Sequence, residues 1–243
     1  MNLTLLLLFL VSVLGPIVRR ADRDDADYRA LGERYPALVS LSRRGDGTLI
    51  APRWVLTAAH VARGTAMRPP VGSVRVGGGD HQISRVFLHP AWREMGPHDV
   101  GLILLATPVT NVKPLPLYRD RKEKGMVAVL LGHGKNGDGT KRQFVEDGIA
   151  RGATSTVDSV DAAWLYFSFD APPKGTRLEG APGPGDSGGP ALLEIAGRTF
   201  IAGISSAGYD GHAGPATYGA IDVFTRVSTH MQWIDSVMTA YRE

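Results

Sequence analysis

GTLIAPRWVLTAAH, residues 47–60, sets two short apolar runs on either side of a Pro-Arg break and then passes through two alanines to a histidine. Runs of four to eight aliphatic, β-branched and aromatic residues bounded by turn formers read as strands. The same pattern recurs at 37–42 (ALVSLS), 73–78 (SVRVGG), 100–106 (VGLILLA), 125–132 (GMVAVLLG), 163–169 (AWLYFSF), 190–206 (PALLEIAGRTFIAGISS) and 221–227 (IDVFTRV). Short strands at this spacing predict an all-β sandwich or barrel. A helix period emerges only at the end, where Ser228 is a candidate N-cap and Met231, Ile234, Val237 and Met238 share a face expected to pack on the body. The charged stretch RRADRDDADYRALGER, 19–34, is expected to lie on the surface.

Composition narrows the function classes. The 243 residues, 43% of them hydrophobic, can bury a sizeable core as one large domain or two small ones. Net charge is +3 and the 27 basic residues are scattered, with no aromatic run among them, which argues against nucleic-acid binding. The absence of cysteine excludes disulfides, thiolate zinc sites and a cysteine nucleophile. No metal is expected either, because there is no His-x-x-x-His pair and DRDDAD is a solvated charge run. The first charged side chain is Arg19, and the apolar run from Leu3 to Leu14 reads as a signal peptide cleaved near 15 or 16, or as an uncleaved signal anchor short for a span of about 20 residues. Export to the periplasm or the medium is the expectation, with membrane tethering as the alternative, and the missing cysteines point to a bacterial rather than an animal protein. GHGKNGDGTKRQ, 132–143, is expected to be a long loop, and PLPLYRDRKEKG, 114–125, a connector between two β-halves.

GAPGPGDSGGP, residues 180–190, holds Ser187 among glycines. A serine hydroxyl is a poor nucleophile at neutral pH and needs a general base within hydrogen-bond reach, itself oriented by a third group. Of seven histidines, His60 closes an apolar run in a small-residue neighbourhood. Asp99 immediately precedes a run apolar enough to be a buried strand, where a carboxylate needs a partner and an imidazolium would suit. The glycines at 185, 188 and 189 permit positive φ and a close approach of main-chain N–H groups, notably those of Gly185 and Ser187, to a bound oxygen. Each residue alone also fits a bland role: a core histidine, a turn-ending aspartate, a glycine-rich surface turn.

Taken in order, TAAH, HDVGLILL and GDSGGP resemble the three active-site motifs of the chymotrypsin-like (trypsin-like) serine proteases, at separations that suit that family. GHG at 132–134, where the family often has Gly-Trp-Gly, GISSAG at 203–208 and DVFTRV at 222–227 extend the likeness over roughly 37–240. The resemblance implies two packed six-stranded Greek-key β-barrels, about 35–115 and 125–227, with a C-terminal helix at about 229–241, residues 17–243 forming the peptidase domain. It further implies an endopeptidase with Ser187 as nucleophile, His60 as base, Asp99 as its orienting acid, and Gly185 and Ser187 N–H groups as the oxyanion hole. It implies a protein or peptide substrate, susceptibility to protein inhibitors, a monomeric state and no cofactor. By the same likeness Asp186 is expected to pair with the amine of Ile17 once cleavage after Pro16 frees it. The specificity pocket is expected at Ala181, at the walls Ser206, Ala207 and Gly208, and at Asp222, which either enters the pocket or pairs with Arg226. Small or apolar side chains before the scissile bond are slightly favoured, with basic ones open through Asp222.

Two rivals stand beside this reading. GDSGG also satisfies the nucleophile elbow of α/β-hydrolase esterases, with Asp210 and His212, or Asp222 and His230, as nominal partners. The other is a catalytically silent protease homologue acting as a binding module.

Overall fold

A computed structural model describes residues 17–41, 45–66, 72–94 and 96–241. The expected leader, 1–16, lies outside the described residues. The described residues open with strand β1 (Val18–Arg19) and helix α1 (Asp25–Glu33). Strands β2 (Leu38–Ser40), β3 (Asp46–Ala51), β4 (Trp54–Thr57), β5 (Ser73–Val76), β6 (Gly79–Leu88) and β7 (Gly101–Leu105) follow, with helix α2 (Ala59–Ala66) after β4. The second half holds β8 (Val127–Gly132), β9 (Lys135–Asp138), β10 (Val145–Glu146), β11 (Arg151–Thr156), β12 (Ser159–Val160), β13 (Trp164–Ser168), β14 (Gly180–Ala181), β15 (Pro190–Ile195), β16 (Arg198–Tyr209) and β17 (Ile221–Arg226). Helix α3 (Met231–Ala240) ends the described chain.

The all-β expectation holds. Strands β2 to β7 close a barrel in the order β2-β3-β4-β7-β6-β5, sealed by the pairing of Ser40 with Arg75. The second half is a seven-stranded antiparallel sheet, β11-β8-β15-β16-β17-β13-β12, beside a small sheet β10-β9-β1-β14. Every residue of β7 is buried, as its unbroken GLILL run predicts, and so is every residue of β4. Those two strands pair throughout their length, which brings the segment after β4, bearing His60, against the segment before β7, bearing Asp99. Antiparallel pairing in both large sheets leaves no doubly wound sheet for a nucleophile elbow, so the α/β-hydrolase alternative falls.

Three expectations need correction or completion. The 19–34 stretch does lie on the surface, with Asp22, Asp24, Asp27 and Glu33 exposed, but it is not without structure: it contains α1, whose Tyr28 is fully buried and donates to the Glu179 carbonyl at 2.8 Å. Its charges are the reason: Arg151, fully buried, takes Asp25 (2.6 and 2.8 Å) and Asp147 (2.9 and 2.8 Å) as counter-ions, and α1 docks on β11. Gly32 makes the docking possible, since a Cβ there would stand 2.8 Å from the Arg151 Cα. The second correction is α2, a helix too short and too alanine-rich to announce itself by an apolar stripe. The third concerns Ser228, which does not cap α3. Its hydroxyl donates at 2.8 Å to Glu123, a buried carboxylate in the connector that also receives Arg226 at 2.6 and 3.1 Å.

Candidate active site

The first residue of α2 is Ala59, so His60 begins a helical turn whose main-chain N–H is free to point outward. That N–H donates to Asp99 Oδ1 at 2.9 Å, and His60 Nδ1 lies 2.7 Å from Asp99 Oδ2. The carboxylate therefore fixes both the backbone and the ring of the histidine. Asp99 is only 4% exposed, and a third donor completes its shell: Ser206 Oγ, 2.6 Å from Oδ2. Thr225 Oγ1 holds the Asp99 carbonyl at 3.0 Å. His98, just before it, has φ +67°, a left-handed conformation uncommon outside glycine.

Ser187 lies on the turn between β14 and β15. Its carbonyl accepts the Asp46 N–H at 2.8 Å, the Gly188 N–H reaches the Ser205 carbonyl at 2.8 Å, and the Gly189 N–H reaches the Asp186 carbonyl at 2.8 Å. Gly188 adopts φ +83°, and a Cβ there would collide with the hydroxyl of Thr57 and the carbonyl of Asp46, so only glycine fits. Gly185, at φ +118°, is in the same left-handed region. Asp186 is fully buried and accepts the N–H groups of Gly183 (3.1 Å) and Gly134 (3.2 Å). Burial, and then the nearby Asp46 carboxylate, push its carboxyl well above the usual carboxylate range.

Two cavities adjoin along Ser206, Ala207 and Gly208, one facing His60 and one facing Ser187. The first, about 390 Å³, is lined also by Trp92, Trp164 and Tyr166. The second, only about 20 Å³, is lined by Ser187, Pro182, Gly183 and Asp222. Asp222 thus borders this second cavity, and Arg226, its alternative partner, is engaged by Glu123. Burial, and then Glu179, push the Asp222 carboxyl well above the carboxylate range. Ala181 is not among the lining residues; it is fully buried and packs with Val18, Phe169, Ala216 and Ala220.

The sequence profile described as Trypsin matches residues 27–234. The chain belongs to the trypsin family of serine endopeptidases. Vitamin K-dependent protein C of Mus musculus is 28% identical over 211 residues, which are 78% of this chain and 45% of that one. Serine protease SP24D of Anopheles gambiae is 27% identical over 234 residues, 86% of this chain and 78% of that one. The chain therefore spans less than half the length of the first relative and most of the second. Mouse neuropsin, a serine protease of solved structure, superposes with a TM-score of 0.68 at 21% identity, covering 87% of this chain and 98% of that one. The fold, a closed six-stranded barrel beside a seven-stranded half-barrel with a C-terminal helix, is thus that of trypsin-family proteases, whose substrates are proteins or peptides. No helix among the described residues is long and apolar enough to cross a membrane.

Reading the sequence motif by motif missed three features of this trypsin-family site. Ser206 was expected only as a pocket wall and turns out to hold Asp99. The aromatic lining of the larger cavity comes from residues far apart in the chain, Trp92 and Trp164. Asp46, which is buried, and the partly exposed His133 form a second carboxylate–imidazole pair, at 2.8 Å, beside the turn that bears Ser187. The one signal available for the last was an aspartate in the otherwise apolar GDGTLIA run.

Proposed function

We propose that this chain hydrolyses peptide bonds through an acyl-enzyme, with Ser187 as nucleophile, His60 as general base and acid, and Asp99 as the group that orients His60. The observation that carries the reading is the Asp99 carboxylate, 4% exposed and bonded to His60 Nδ1 at 2.7 Å, beside the cleft onto which Ser187 opens. With Nδ1 committed to Asp99, Nε2 is the nitrogen that takes the serine proton as Oγ attacks the carbonyl carbon, and returns it to the departing amine. Water then repeats the sequence on the ester. The N–H groups of Gly185 and Ser187 are assigned to the developing oxyanion. A fluorophosphonate probe tests this directly: mass spectrometry should find the adduct on Ser187 and none on Ser187→Ala, whereas an unlabelled, folded wild type would leave the silent binding module.

The narrow cavity supports small side chains before the scissile bond, with Ser206, Ala207, Gly208 and Asp222 as its walls. For activation, Ile17 is fully buried and β1 lies antiparallel to β14, close to the nucleophile turn. Among the described residues no cationic side chain pairs with Asp186, so an amine freed at Ile17 by cleavage after Pro16 would supply its counter-ion and lower its raised pKa. N-terminal sequencing of the active form reads that cleavage. We assign 1–16 as an export leader and 17–243 as the peptidase domain, working outside the cytoplasm as a monomer open to protein inhibitors.

A further inference from the structure

The pair formed by Asp46 and His133 is built against the turn that bears Ser187. Asp46 is 1% exposed and contributes through every polar group it has. Its N–H donates to the Ser187 carbonyl at 2.8 Å, and its own carbonyl accepts the Thr57 hydroxyl at 2.6 Å. Its Oδ2 accepts the His133 N–H at 2.9 Å, and its Oδ1 lies 2.8 Å from His133 Nδ1. An ionised carboxylate only accepts, so Nδ1 carries the proton and Nε2 is the remaining proton site of the ring. The next residue, Gly134, donates its N–H to Asp186 Oδ1 at 3.2 Å. Asp46 belongs to β3 of the first barrel and His133 follows β8 of the second, so the pair ties the two halves together on either side of Asp186 and Ser187.

The His133 ring is not sealed in. It lines a cleft of about 440 Å³ together with Pro184 and Gly185, the residue assigned to the oxyanion. We propose that Asp46 and His133 are positioning residues for the reaction, their ion pair holding Gly185–Ser187 in the conformation that receives the substrate carbonyl. The inference rests on Ser187 being the nucleophile.

Electrostatics gives the pair a pH dependence. Burial opposes the charged imidazole, but Asp46, by charge and by hydrogen bond, outweighs it and raises the His133 pKa. The charged groups facing the ring's surroundings are Asp46 from β3, Asp186 from the turn, Arg75 from β5, and Lys135 and Glu146 from β9 and β10. Arg75 is paired with Asp80 at 3.1 Å and Lys135 stands 3.9 Å from Glu146, which leaves His133 as the cation bonded to Asp46. When the imidazolium loses its proton, two neighbouring buried carboxyls, Asp46 and Asp186, face each other without it. A raised pKa means that the imidazolium keeps its proton to higher pH than a free histidine does, and that the ion pair is lost as pH rises through the raised value.

The test uses wild type, His133→Gln and Asp46→Asn, each checked for folding by thermal unfolding. Fluorophosphonate labelling rates and peptide kcat and KM are measured from pH 5 to 11. We expect both variants to label at Ser187 at least tenfold more slowly than wild type. The loss should lie in kcat, with KM changed less than threefold, and the wild-type alkaline limb should vanish. A folded His133→Gln with wild-type labelling rate and an unchanged profile overturns the proposal. Should the variants not fold, ¹³C-histidine NMR of the wild type decides instead: the His133 titration must coincide with the alkaline limb, and a separation of more than about one pH unit overturns it. A folded wild type that labels at no pH overturns the nucleophile assignment itself, a result distinct from any failure confined to the variants.

Discussion

Replacing Ser206 by alanine removes one oxygen and alters no other contact in shape, which makes it a clean probe of the Asp99 shell. The hydroxyl stands 2.6 Å from Asp99 Oδ2, the same oxygen that His60 Nδ1 approaches at 2.7 Å. Hydrogen bonds to charged groups contribute about 1.5–3 kcal/mol. Ser206 lines a cavity, so water can partly replace it, which favours the lower end: about 1.5 kcal/mol, or roughly tenfold in rate. Because the hydroxyl holds Asp99, the loss should fall mainly on kcat. Thermal unfolding should fall by about 3–6 °C, at roughly 2–4 °C per kcal/mol for a chain of this size. The assay is steady-state hydrolysis of a peptide panel from pH 5 to 9 beside a melting curve. A folded Ser206→Ala enzyme within twofold of wild type in kcat would refute the reasoning.

Three further outcomes are expected. Asp222→Gly should open the 20 Å³ cavity, at a stability cost of about 0.5–1 kcal/mol for glycine in a strand, and raise turnover of peptides with Leu or Phe before the scissile bond at least tenfold relative to Ala; an unchanged panel means that Asp222 does not limit the pocket. Glu123→Ala strands the Arg226 guanidinium, 6% exposed, and should cost about 3–5 kcal/mol by denaturant unfolding, whereas Glu123→Leu with Arg226→Met should recover much of it; equal losses in both would count against the buried-pair account. His89 stacks on His98 and edges onto His230 and Trp233, and burial followed by its two histidine neighbours lowers its pKa from 6.5 to about 4. Its contribution is therefore complete above pH 6.5 and lost as pH falls towards 4. Discounted for its partial exposure, that is about 1–2 kcal/mol, and His89→Phe should flatten the fall in melting temperature between pH 7 and pH 4.

What the sequence by itself determined follows from short-range chemistry. Unbroken apolar runs such as GLILL have only one low-energy fate, burial on both faces of a sheet, and glycines at 185 and 188 permit a backbone that other residues resist. Those signals, with three motifs in order, made the all-β architecture and the candidate residues His60, Asp99 and Ser187 legible. Only the tertiary structure decided the partners of buried charges, because a salt bridge carries no periodicity and its members can be any distance apart in the chain. Arg151 gathers Asp25 across 126 positions and so turns a charged tail into a docked helix. Glu123 takes Arg226 across 103 positions, which leaves Asp222, at the edge of the small cavity, without it. Asp46 and His133, 87 positions apart, meet beside the turn that bears Ser187 because two separate β-halves close on that turn, and a buried carboxylate there must find a cation wherever the fold places one.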